Sequence, residues 1–171
     1  MIKSIIYIFT ATLVLCSCSS FEMHFKKNAS FDPPLLILIN NFEVRDMEFD
    51  PHISAEFCEA LSFEFFKMGY ASRIIENRDK SDPTTESENI ANLCKNFNGD
   101  LLITGIISIR ESGFLTNRKV NSKIVFQAFS ARGVLLSEGC FMEPNSGNIY
   151  LTGKKGAQKF AKKLSKELWG R

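Results

Sequence analysis

Leu35-Leu36-Ile37-Leu38-Ile39, closed by Asn40-Asn41, is the stretch that decides the fold. Five consecutive apolar residues leave no polar face, and polar punctuation ends the run after a strand's length. It therefore predicts a central strand buried on both faces. Downstream, from His52 to Met68, the period changes. Ile53, Phe57, Leu61, Phe65 and Met68 recur at spacings of three or four, while Glu56, Glu59, Glu64 and Lys67 lie mostly off that stripe. This is an amphipathic helix, and Gly69 supplies its C-terminal stop. Tyr70 to Ile75 is a second short strand.

Residues 76–83 form a polar loop, after which Thr85 and Glu88 have the spacing of a capping box. Ile90, Leu93, Cys94 and Phe97 make the apolar face of a second helix, ended by Gly99. Leu101 to Ile109 returns to strand. Val120 to Ser130 alternates, with Ile124, Phe126 and Ala128 on one face and Lys123 and Gln127 on the other. Ala131-Arg132-Gly133 turns the chain into a last strand, Val134 to Met142. In the final helix Thr152 is the expected cap, and Ala157, Phe160, Ala161, Leu164 and Leu168 form one stripe. The order β-α-β-α-β-β-β-α predicts an α/β fold with a single mixed sheet. Two crossover helices precede an antiparallel meander and a C-terminal helix.

The composition suits one globular domain. Of 171 residues 44% are hydrophobic and 23% charged, and sixteen are Phe, each buried ring stabilising by about 2 kcal/mol. A net charge of +2 is too small to argue for nucleic acid as a partner. Beyond Cys16 and Cys18, the cysteines at 58, 94 and 140 are dispersed. They provide neither a disulfide framework nor a metal-ligand spacing.

The N-terminus, MIKSIIYIFTATLVLCSC, carries an address. Lys3 is a positive n-region, and Ile5 to Leu15 is an apolar run of about 11 residues. At about 1.5 Å per residue it is shorter than the roughly 20 residues that a membrane span requires. It fits a signal peptide. Leu15-Cys16-Ser17-Cys18 resembles the lipobox of bacterial lipoproteins, with small Ser17 immediately before the cysteine. The resemblance implies cleavage before Cys18, a diacylglycerol on its sulfur and an acyl chain on its amino group. Ser19 stands where an inner-membrane retention aspartate would be, so the implied address is the outer membrane, facing the periplasm. The expected division is a signal peptide at 1–17, a lipidated N-terminus and tether at 18–34 ending in Pro33-Pro34, and a domain at 35–171.

Two phrases carry a second resemblance: Asn98-Gly99-Asp100-Leu101-Leu102-Ile103-Thr104-Gly105 and Arg132-Gly133-Val134-Leu135-Leu136. With Gly69-Tyr70 and the element order, they resemble envelope proteins related to LpoB, to CsgG and to the N-terminal domain of TolB. The connections at 111–119 and 131–133 are too short for the membrane hairpins of a CsgG-type pore. The expected tether is also shorter than that of LpoB-like activators.

Catalytic motifs are scarce. Gly147 to Lys154 is a residue too long for a phosphate loop, and Lys155 stands where Ser or Thr would hold magnesium. His24 and His52 lack partner ligands at helical spacing. No Gly-x-Ser-x-Gly occurs, and Glu86 and Glu88 diverge at i,i+2. The expectation is a non-enzyme without metal, nucleotide or cofactor other than the lipid on Cys18. Its partners would be the membrane and either another envelope protein, which it would serve as an accessory or assembly factor, or itself, as a structural subunit of a secretion or motility apparatus. The other alternative is a surface-exposed lipoprotein that binds ligands outside the cell. Candidate contacts for a partner or for lipid headgroups are Lys155, Lys159, Lys162, Lys163 and Lys166 on the last helix. Arg110, Phe114 and Leu115, toward a hairpin tip, complete the set.

Overall fold

A computed structural model describes residues 19–26, 32–45, 52–76, 86–112, 119–144 and 147–170. In chain order its elements are β1 (Ser20–Phe25), β2 (Leu36–Asn40), β3 (Glu43–Arg45), α1 (Ile53–Lys67), β4 (Ala71–Ile75), α2 (Glu86–Phe97), β5 (Leu101–Ser112), β6 (Lys119–Ser130), β7 (Leu135–Glu143) and α3 (Ile149–Trp169). The apolar run forms β2, paired in parallel with β4 on one side and β5 on the other. Ile37, Leu38 and Ile39 are fully enclosed there.

The sheet runs β1-β7-β6-β5-β2-β4, with β3 also beside β5. The α/β class, the crossovers, the meander and the last helix are as the sequence predicts. The two crossovers travel in opposite directions along the sheet, so right-handed connections place their helices on opposite faces. α1 and α3 share one face over Ile37, Ile39, Leu101, Ile103, Ile124, Phe126 and Phe141. α2 covers Leu38, Leu102 and Phe129 on the other.

Two strands lie beyond the expected order. The segment expected as a tether, 18–34, contributes β1, which pairs antiparallel with β7 from Ser20↔Met142 to Phe25↔Ser137. Residues ahead of 35 therefore belong to the folded sheet. The reason is a period of two: Phe21, Met23 and Phe25 turn to the core while Glu22 and His24 do not. Pro33-Pro34 delimit only the connection from β1 to β2. The second addition, β3, continues β2 after a kink. From Ile37 to Glu43 the chain uses one residue more than β5 does from Leu101 to Ile106. The surplus acts as a bulge at which Phe42 enters the core. Gly105 makes this fit, because a Cβ there would collide with the Phe42 ring and the Val125 carbonyl.

Phe126 is the centre of the aromatic core. It stacks on Phe160 at 4.4 Å and meets Phe57, Phe42 and Phe21 at 5.7, 6.0 and 6.4 Å. Each such pair adds about 0.5–1.5 kcal/mol beyond its buried area.

The helix ends follow local rules. Gly69 (φ +85°) closes α1, its N–H bonding Phe66 O while Tyr70 N–H bonds Phe65 O. At the end of α2 the left-handed position is taken by Asn98 (φ 53°), not by Gly99. Gly99 is needed for room, since a Cβ would strike the Leu38 side chain. α3 starts earlier than its expected Thr152 cap: Asn148 accepts from Leu151 N–H at 3.1 Å. Thr152 is buried in the first turn, its hydroxyl donating to Asn148 O. Thr85 lies outside the described residues.

Candidate interaction surfaces

The lysines of α3 divide by position. Lys155, Lys159 and Lys163 recur every four residues along the flank over β7 and β1. Lys155 pairs with Glu143 at 2.7 Å. Lys159 donates to Ser19 Oγ at 3.0 Å and lies 5.1 Å above the Phe141 ring. Lys163 lies 5.6 Å above Phe21. Lys159 and Lys163 hold the β1 edge as well as charging it, while Lys155 is fastened to β7. Lys162 and Lys166 point to solvent. Arg110 is exposed near the end of β5, at a shallow hollow it shares with Ser20, Asn121, Lys123, Met142 and Pro144. Ser19, the residue after Cys18, thus sits at a basic end of the sheet. Cys18, Phe114 and Leu115 lie outside the described residues.

The sheet has two different ends. β1 terminates one and β4 the other, each hydrogen-bonded to a single strand among the described residues. Beside β4, α1 presents Phe63 (58% exposed) and Phe66 (73%), with Ile74 (37%) below them. Glu59, Ser62 and Ser72 line the same groove. Ser62 and Ser72 share a 2.8 Å hydrogen bond that fastens α1 to the strand. Neighbouring rings exposed together on one helix flank mark a contact surface more often than chance exposure does.

Acid–base groups are subdued. Burial pushes the Cys58 thiol up to about 11 and raises Cys94 and Cys140 as well, favouring neutral thiols over nucleophilic thiolates. At Glu143 burial acts to raise the pKa. The hydrogen bond from Lys155 and the charges of Lys155 and Lys159 outweigh it and hold the carboxyl below its usual range. Among the described residues, no three His, Cys, Asp or Glu side chains come together as a metal site, and no helix is long and apolar enough to cross a membrane. His24 lies opposite Glu138 across β1 and β7, and His52 precedes α1.

Sequence reasoning passed over Phe63, Phe66 and β1. Both signals are present: Phe63 and Phe66 fall off the Ile53–Phe57–Leu61–Phe65 stripe, and Phe21-Glu22-Met23-His24-Phe25 alternates.

No family model matches the sequence, and no curated protein matches it. Among solved structures the chain is similar to PelC from Paraburkholderia phytofirmans, solved as a dodecamer. The identity is 9% and the TM-score 0.59, over 89% of this chain and 99% of that one. It is also similar to the hypothetical protein CT253 from Chlamydia trachomatis, at 8% identity and TM-score 0.49, over 80% of this chain and 98% of that one. Lipoprotein GNA1162 from Neisseria meningitidis has 14% identity and TM-score 0.45, over 76% and 98%. At 9% identity the PelC likeness is one of fold.

Proposed function

We propose that this chain is a lipoprotein of the bacterial envelope, anchored through Cys18, which works as a non-catalytic assembly or accessory factor. The lipobox-like Leu15-Cys16-Ser17-Cys18 supports the address. The observation that carries the rest is the arrangement of contact surfaces: a basic end beside Ser19, and two unlike sheet edges, one flanked by exposed aromatic rings. These features suit binding to other proteins at a membrane surface. In this reading the outer membrane holds the lipid, Arg110, Lys123 and Lys155 face the headgroups, and the folded domain faces the periplasm. Each lysine near such a surface contributes about 1 kcal/mol.

A second reading, self-association as a structural subunit, is favoured by the fold shared with PelC, a dodecamer in its crystals. The two readings separate by crosslinking in intact cells with a C-terminally tagged chain, followed by mass spectrometry. Capture of one stoichiometric envelope protein supports the accessory role, and high-mass bands of the chain itself support the structural one. The anchor is tested by labelling with a fatty-acid analogue. Cys18→Ser should lose the label and leave the signal peptide uncut; labelling equal to that of the unmutated chain would defeat the assignment.

A further inference from the structure

We infer that copies of this chain join head to tail, the β4–α1 edge of one against the β1–α3 edge of the next. The inference deepens the self-association reading and rests on it. Among the described residues two unlike edges terminate the sheet, and their strand directions are opposed. β4 runs parallel to β2 and β5, while β1 is reversed by the three antiparallel pairings of the meander. A neighbouring copy in the same orientation therefore offers β1 antiparallel to β4, the geometry of strand addition at an exposed edge. β4 has no proline or lysine, Ile74 is part-exposed, and its one charged side chain, Arg73, lies over the Phe97 ring at 5.1 Å.

The helix layer points the same way. Within one copy α1 packs against α3 by one flank only. The outer flank of α1 presents Phe63 and Phe66 beside Glu59. The outer flank of α3 presents Lys159 and Lys163 above β1 and its ring Phe21. Across the joint, α1 of one copy meets α3 of the next, continuing both layers. Charge selects this pairing over the symmetric ones. On the flanks that would meet, α1 presents Glu59 and α3 presents Lys159 and Lys163. Two β1–α3 edges together would oppose lysine to lysine, whereas the unlike edges set Glu59 against Lys159 and Lys163. A joint of this kind is heterologous, so the series closes into a ring or continues as a filament.

The test uses the full, acylated chain in detergent. Its mass should be a multiple of one chain, and Phe63→Glu with Phe66→Glu should reduce it to a single chain with an unchanged melting temperature. In a Cys140→Ser background, a chain with Phe66→Cys and another with Lys163→Cys are then mixed and oxidised. Head-to-tail joining predicts crosslinked dimers in the mixture and few in either variant alone. Dimers of Phe66→Cys alone would show a symmetric joint and overturn the inference, and so would a high mass that survives both glutamates. In those two cases self-association itself still stands. A wild-type monomer at all concentrations overturns the inference together with the self-association reading. The accessory reading is then judged separately, by whether cells yield a crosslink to another envelope protein.

Discussion

At the scale of single residues, the two glycines of the Asn98–Gly105 phrase matter for the volume they leave empty. Gly105 has no left-handed φ, yet the Phe42 ring and the Val125 carbonyl occupy the space of its missing Cβ. Gly105→Ala should therefore force the bulge between β2 and β3 apart, at a cost of about 1–3 kcal/mol for overpacking, measured by urea denaturation. Asp100 in the same phrase is explained by its carboxylate, which accepts the backbone N–H groups of Leu35 (2.8 Å) and Leu36 (3.0 Å) and fixes the start of β2. A second prediction concerns Glu143. Its folded pKa is lowered, so its stabilisation is present above the ordinary value of 4.5 and is lost as pH falls through the folded value. Below pH 4.5, stability should fall more steeply in the wild type than in Lys155→Ala, as followed by melting temperature against pH. Equal slopes would mean that the 2.7 Å pair does not hold the carboxylate.

At the scale of elements, what the sequence reveals depends on how much of an element's pattern is forced by burial. β2 and the stripes of α1 and α3 were legible because both faces of the strand and one full flank of each helix meet the core. Leu164 is fully buried in the α3 stripe, so Leu164→Asp should abolish cooperative unfolding by circular dichroism. β1 was less legible because only its alternate residues are buried, in a segment bounded by polar residues and by Pro33-Pro34. Here the structure makes a prediction that a tether would not: deleting residues 20–25 removes Met23 from the core and uncovers β7. The melting temperature should drop by several degrees, on the basis of about 4–8 °C per kcal/mol for small domains; an unchanged value would return these residues to the role of a linker. The start of α3 shows another limit. Asn148 and Thr152 both have capping chemistry, and the choice between them was made by tertiary packing, which buries Thr152.

At the scale of the whole molecule, the candidate contacts were partly legible. The lysine-rich helix was visible as composition, but composition could not separate Lys155, Lys159 and Lys163, which brace β7 and the β1 edge, from the outward Lys162 and Lys166. That distinction requires knowing which strand lies beneath the helix. The aromatic flank of α1 was missed for the same reason, since an off-stripe Phe becomes meaningful only once it stands beside an open sheet edge.

One feature of the fold bears on how association would proceed. β1 begins at Ser20, two residues after Cys18, and two residues span about 7 Å at most. With Cys18 acylated as proposed, the domain is held within a thin layer above the bilayer, and every copy presents the same end to it. Encounters are then planar, so copies arrive already sharing one orientation and much of the rotational search is removed. A joint too weak to populate in free solution can dominate in such a layer, because confinement raises the effective concentration. Mutating Cys18 to Ser behind a cleavable soluble signal should therefore shift assembly to much higher protein concentration while leaving the fold intact, as read by native mass measurements and circular dichroism. If assembly of that soluble form matched the acylated chain, the membrane would be only an address and not a template.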